Sequence, residues 1–76
     1  MAFEIVLNEE FIKLGQALKA AHICMSGGEA KEMILSGNVL VNGEVETRRG
    51  RKLYGGDTVM VSGEEIRIRE EQVSVE

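Results

Sequence analysis

Apolar and polar positions along the chain follow two different periods, one helical and one of strands. Residues 2–7, Ala-Phe-Glu-Ile-Val-Leu, are rich in β-favouring side chains and predict a strand. Asn8 follows, whose side-chain oxygen can cap a helix, and Glu9 and Glu10 suit a helix's positive end, so a first helix is expected from Glu9 to about Ala21. Within it Phe11, Leu14, Leu18 and Ala21 recur at helical spacing and leave Lys13, Gln16 and Lys19 towards solvent. Gly15 weakens it by about 1 kcal/mol relative to alanine. After a short link over His22 to Met25, Ser26 and Glu29 have the spacing of a capping box, the hydroxyl bonding the Glu29 amide and the carboxylate reaching back. A second helix starts there, carries Ala30, Met33 and Ile34 on one face and stops at Gly37, a natural left-handed C-terminal residue. So short a connection pairs the two helices closely.

Beyond Gly37 the period changes to two. Val39-Leu40-Val41, Asn42-Gly43 and Glu44-Val45-Glu46 read as a hairpin, because Asn-Gly tolerates the positive φ angles of a type I′ turn. Thr47 to Lys52 reads as a polar, basic loop and Gly55-Gly56-Asp57 as a turn. Thr58 to Ser62 forms a strand with Val59 and Val61 on one face, and Gly63-Glu64 turns the chain into the alternating strand Ile66-Arg67-Ile68-Arg69. Val73 and Val75 are candidates for a further edge strand. These elements predict one α+β domain over residues 1–76, with two paired helices followed by mainly antiparallel strands.

Composition narrows the class. Seventy-six residues leave no room for a second domain, and 43% hydrophobic with no proline suits a folded chain. With only Phe3, Phe11 and Tyr54 as aromatics, the core must be aliphatic and thin. The lone Cys24 cannot form an internal disulfide, and neither a signal peptide nor an apolar run of bilayer length is present, so a reducing cytoplasm is expected. A net charge of −4 argues at first against a nucleic-acid partner, but the charge is segregated. Residues 1–12 carry three acids and no base (−3), residues 53–76 six acids against Arg67 and Arg69 (−4), and residues 13–52 seven bases against four acids (+3). Since salt screens exposed charges beyond about 8 Å, a local basic face can attract phosphate on an acidic protein.

The strongest chemical signal is Arg48-Arg49-Gly50-Arg51-Lys52, four bases in five positions, with planar guanidinium forks suited to phosphate. Ser26-Gly27-Gly28-Glu29-Ala30-Lys31 is a glycine-bearing helix entry whose free amides and dipole suit an anion, with Lys31 one turn in. If the loop folds onto that entry, two sources of positive potential converge. His22, Cys24 and Met25 are soft donors, but no second Cys or His completes a closed metal site, so no cofactor is expected. One His, one Cys and one Asp offer no triad, and no enzymatic activity is expected.

The order of these motifs resembles the S4-type RNA-binding domain. The resemblance runs through Leu14-Gly-Gln-Ala-Leu18, then Ser26 with Ala30-Lys31 and Ile34, then Gly37-Asn-Val39-Leu-Val41-Asn42-Gly43, then Gly56-Asp57-Thr-Val59, over about residues 12–62. Glu46-Thr-Arg48-Arg49-Gly50-Arg51-Lys52 further resembles the stand-alone bacterial YaaA/YbcJ-like subfamily. The resemblance implies a helix pair on a small, strongly bent sheet and RNA bound across the start of the second helix and the basic loop. Carried onto this chain, it points to Ser26, Gly27, Lys31, Arg48, Arg49, Arg51 and Lys52. Many domains of the family have arginine straight after the serine; Gly27 stands there, so one expected phosphate contact is missing. The resulting expectation is a monomeric, non-catalytic module for structured RNA, ribosomal or transfer RNA, since rows of exposed aromatics for stacking single strands are absent. The rival expectation is a protein-interaction adaptor, for example in ribosome assembly, acting through Glu64, Glu65, Glu70 and Glu71.

Overall fold

The computed structural model describes residues 2–71, so the candidate edge strand at Val73 and Val75 lies outside the described residues. The elements are β1 (Ala2–Leu7), β2 (Ile12–Lys13), α1 (Leu14–Ala20), α2 (Gly27–Leu35), β3 (Val39–Val41), β4 (Glu44–Val45), β5 (Lys52–Leu53), β6 (Thr58–Val61) and β7 (Glu64–Glu70). Five strands form one sheet in the order β1-β7-β6-β3-β4, and β2 and β5 form a separate antiparallel pair. This is the expected α+β class. Three of the large sheet's pairings are antiparallel, and β1 alone runs parallel to its partner, with Phe3 opposite Ile66 and Ile5 opposite Ile68.

Alternation along the strands decides what is buried. Val39, Val41, Val59, Val61, Ile66 and Ile68 point inward from β3, β6 and β7 and meet Leu14, Ala17 and Leu18 of α1 and Ala30 and Ile34 of α2 in one cluster. Leu7, Ala21, Cys24 and Leu53 complete that cluster. Neighbouring strand positions such as Met60 and Arg67 face out, as a period of two requires.

Both hairpins turn on pairs of left-handed residues. Asn42 and Gly43 have φ of 53° and 86°, the type I′ turn expected from Asn-Gly. Ser62 and Gly63 have φ of 51° and 77°, so the second turn sits one residue earlier than Gly63-Glu64, and Glu64 already pairs with Val61. Asn42 also ties the first turn to the next: its amide nitrogen donates to Asp57 Oδ1 at 3.0 Å, and its side-chain oxygen accepts from the Thr58 amide at 3.0 Å. Asp57 Oδ2 in turn accepts from the Tyr54 amide at 2.8 Å, which accounts for its carboxylate as a turn clamp.

The first helix departs from expectation. It starts at Leu14, five residues later than Glu9, and Asn8 does not cap it. Residues 12–13 are drawn instead into pairing with Lys52 and Leu53, which also turns the end of the supposed loop at Lys52 into a strand. At its far end α1 closes as a Schellman motif: His22, at φ 60°, donates its amide to Lys19 O, and Ile23 donates to Leu18 O, both at 3.0 Å. The start and end of α2 agree with the sequence. Ser26 Oγ accepts from the Glu29 amide at 3.2 Å and Gly37 is left-handed at φ 83°, while Glu29 makes no return bond to Ser26 among the described residues.

Candidate nucleic-acid interface

The basic stretch is organised around a carboxylate. Glu46 leaves β4 for the interior and is only 6% exposed. Its Oε2 accepts from the Arg48 amide at 3.1 Å and from Arg48 Nε at 3.0 Å, and its Oε1 from Arg48 Nη2 at 3.1 Å and Arg51 Nη1 at 2.9 Å. A carboxylate taken out of water is tolerated when its lone pairs are filled in this way. The hydrogen bonds from Arg48, then Arg51, outweigh burial and hold its carboxyl down to about 2 from the ordinary 4.5.

The backbone of the same loop caps α1. The first amides of a helix have no partner within it; here Leu14 donates to Arg51 O at 2.8 Å and Gly15 to Arg49 O at 3.0 Å. The Arg51 amide donates to Arg48 O at 3.2 Å and closes the turn across Gly50. Arg49 then runs along α1 so closely that a Cβ on Gly15 would lie 2.7 Å from Arg49 Cγ, nearer than side-chain carbons approach. Glycine at 15 is therefore explained by the arginine beside it, despite its cost to the helix.

This packing opens a groove between the helices and the loop. One concavity of about 300 Å³ is lined by Lys13 at the N-cap of α1, Gly15, Gln16 and Lys19 of α1, Gly27 and Ala30 of α2, and Arg49 and Gly50. A second is lined by Lys31, Ile34 and Leu35 of α2 and by Thr47, Arg49 and Gly50. Arg49 and Gly50 belong to both, so Arg49 stands between Lys13 and Lys19 on one side and Lys31 on the other.

The seven residues singled out from the sequence thus have different fates. Gly27, Lys31 and Arg49 come together, with Ser26 beside Gly27 as the N-cap. Arg48 and Arg51, expected from the sequence to contact RNA, are ion-paired with Glu46, although the Arg48 side chain stays 75% exposed. Lys52 lines neither concavity; its ammonium sits 4.7 Å from the centre of the Phe11 ring, which leans on Tyr54. Lys13, Gln16 and Lys19 were read only as solvent-facing, yet their spacing of three, from the N-cap into α1, was the available sign that they share one side and line one concavity.

The acids gather elsewhere. Glu9, Glu10, Glu70 and Glu71 border a separate concavity with Asn8 and Tyr54. Cys24 is buried with its sulfur 3.9 Å from Met33 Sδ, and burial, followed by the charge of Glu29, pushes its thiol up, which disfavours the thiolate needed for ligation or attack. Among the described residues no three His, Cys, Asp or Glu side chains converge as metal ligands, and no helix is long and apolar enough to cross a membrane.

Comparison with known proteins identifies the family of this fold. The family profile described as the S4 domain matches residues 5–69. The chain is 51% identical over 63 residues to RlbA of Bacillus subtilis (strain 168), named a probable ribosome maturation protein, covering 83% of this chain and 89% of that one. It is 37% identical over 57 residues to YbcJ of Escherichia coli (strain K12), covering 75% and 81% of the two chains. The solution structure of YbcJ from E. coli, described as revealing an αL motif involved in RNA-binding, superposes with a TM-score of 0.62 at 32% identity, covering 90% of this chain and 85% of that one. A domain match over most of the chain, relatives of the same small size and a shared fold lead to one conclusion: the chain belongs to the S4 domain family.

Proposed function

We propose that this protein is an RNA-binding module that grips structured RNA, ribosomal or transfer RNA, in the groove between α1, α2 and the basic loop. The observation that carries this reading is the convergence of Arg49 with Lys13, Lys19, Lys31 and the glycine-bearing start of α2 on one face of a chain of net charge −4. Phosphates are the groups such a face attracts, and Arg49, with no carboxylate partner among the described residues, is its best-placed donor. The names of the relatives point the same way, one to RNA binding and one to ribosome maturation, which favours ribosomal RNA. Ser26 and Gly27 admit a backbone phosphate at the start of α2, while Arg48 and Arg51 add charge from behind.

The test is a salt series. If the groove holds about four phosphates, affinity for a ribosomal RNA hairpin falls by roughly two decades between 50 and 200 mM salt, at about 0.7 to 0.9 per phosphate in the log–log slope. Arg49→Ala then weakens binding to every RNA tried and lowers that slope by about one unit. The adaptor reading predicts the reverse pattern, with Arg49→Ala silent and Glu64→Gln with Glu65→Gln harmful. Absence of RNA binding at 50 mM salt by folded protein overturns the proposal.

A further inference from the structure

The turn that carries Arg49 is held from inside the protein. Glu46 grips Arg48 through both Nε and Nη2 and Arg51 through Nη1, while the carbonyls of Arg49 and Arg51 are fixed on the first amides of α1. Between these two anchors the Arg49 side chain passes Gly15 and borders both concavities, the one with Gly27 and the one with Lys31. We propose that Glu46 is a positioning residue of the RNA interface: by clamping the arginines on either side of Arg49, it presets the 48–51 turn and delivers Arg49, unpaired, to the phosphate. This rests on the RNA-binding reading and adds how the site is organised.

The physical reason is preorganisation. Fixing a backbone costs conformational entropy, and a loop of four residues ordered only on binding would draw that from the RNA contacts. Glu46 orders it within the fold, before any RNA is bound. An opposing account, in which Glu46 merely masks two arginines, makes the opposite forecast, since removing a mask frees two cations for phosphate.

A double-mutant cycle on the full chain separates these accounts, with a ribosomal RNA hairpin as probe and Glu46→Ala, Arg49→Ala and the pair as variants, each confirmed folded by circular dichroism. Glu46→Ala is expected to weaken binding about tenfold and lower the salt slope by about one unit, as Arg49→Ala does, and the pair to lose about tenfold in all, because both act through one contact. Glu46→Gln, which keeps the side chain's shape and an acceptor oxygen, restores part of the loss, and the same cycle can be run on it should Glu46→Ala not fold. A hundredfold loss in the pair, or tighter binding by Glu46→Ala with a steeper slope, overturns the inference about Glu46 and leaves the RNA interface standing. Arg49→Ala without effect on affinity or slope overturns the interface itself, and the role of Glu46 with it.

Discussion

A carboxylate surrounded by four donors titrates unlike one in water, and Glu46 shows the consequence. Its folded value, about 2, lies below the ordinary 4.5, so the stability it contributes is whole above about 4.5 and is lost as the pH falls through about 2. Glu46→Gln is expected to cost about 1–2 kcal/mol at pH 7, moderated because Arg48 can return to water, and the gap to the parent protein should close between pH 4.5 and pH 2 in urea-denaturation series. A gap that stays constant across that range would show that the carboxylate's charge is not what matters. The basic run was plain in the sequence because charge is a property of residue type. Its neutraliser was hidden, because Glu46 reaches Arg48 two residues on and Arg51 five residues on only after the loop has bent, and no helix or strand period encodes that contact.

The elements divide in the same way between local and distant causes. Asn42-Gly43, the Ser26 cap on the Glu29 amide and Gly37 were legible because a turn or a cap is decided within four residues, and each appears where the sequence put it, the return bond from the Glu29 carboxylate excepted. The start of α1 was not. Asn8-Glu9-Glu10 has capping chemistry, but the strand pair of Ile12 with Leu53 and the loop carbonyls on Leu14 and Gly15 come from residues some forty positions away and decide the boundary. The parallel pairing of β1 with β7 was likewise invisible, since alternation announces a strand and not its partner. Gly15 joins both kinds of cause and can be tested. Gly15→Ala gains about 1 kcal/mol of helix propensity, but its Cβ would stand 2.7 Å from Arg49 Cγ while the Arg49 carbonyl, at 3.6 Å, stays in ordinary contact. The loop therefore remains and the arginine side chain swings away: thermal unfolding should shift little, and RNA affinity should fall about as far as in Arg49→Ala. Unchanged affinity would mean that the place Arg49 takes beside Gly15 is not the one it takes on RNA.

For the whole molecule the question is how a chain of net charge −4 holds a polyanion at all. The basic groove and the acidic concavity of Glu9, Glu10, Glu70 and Glu71 share a body whose radius of gyration is 12.2 Å, so bound phosphate feels both through distances of order 20 Å. Screening decides which prevails. The Debye length is about 30 Å at 0.01 M salt and about 8 Å at 0.15 M, so the acids repel RNA in dilute salt and are nearly silent near physiological strength, whereas cations in contact with phosphate are felt at both. Glu10 and Glu71 border the acidic concavity and not the basic groove, which makes Glu10→Gln with Glu71→Gln a clean probe. Each unit charge at such a distance contributes roughly 0.2 kcal/mol per phosphate in water, so the pair of changes should tighten RNA binding about threefold at 0.01 M salt and leave it unaltered at 0.15 M. Lys13→Ala with Lys19→Ala, by contrast, should weaken binding at both salts and flatten the salt slope by about two units, because contact charges release counterions whatever the screening length. An effect of the glutamine pair that persisted undiminished at 0.15 M would place Glu10 and Glu71 against the RNA itself and move the interface away from the groove.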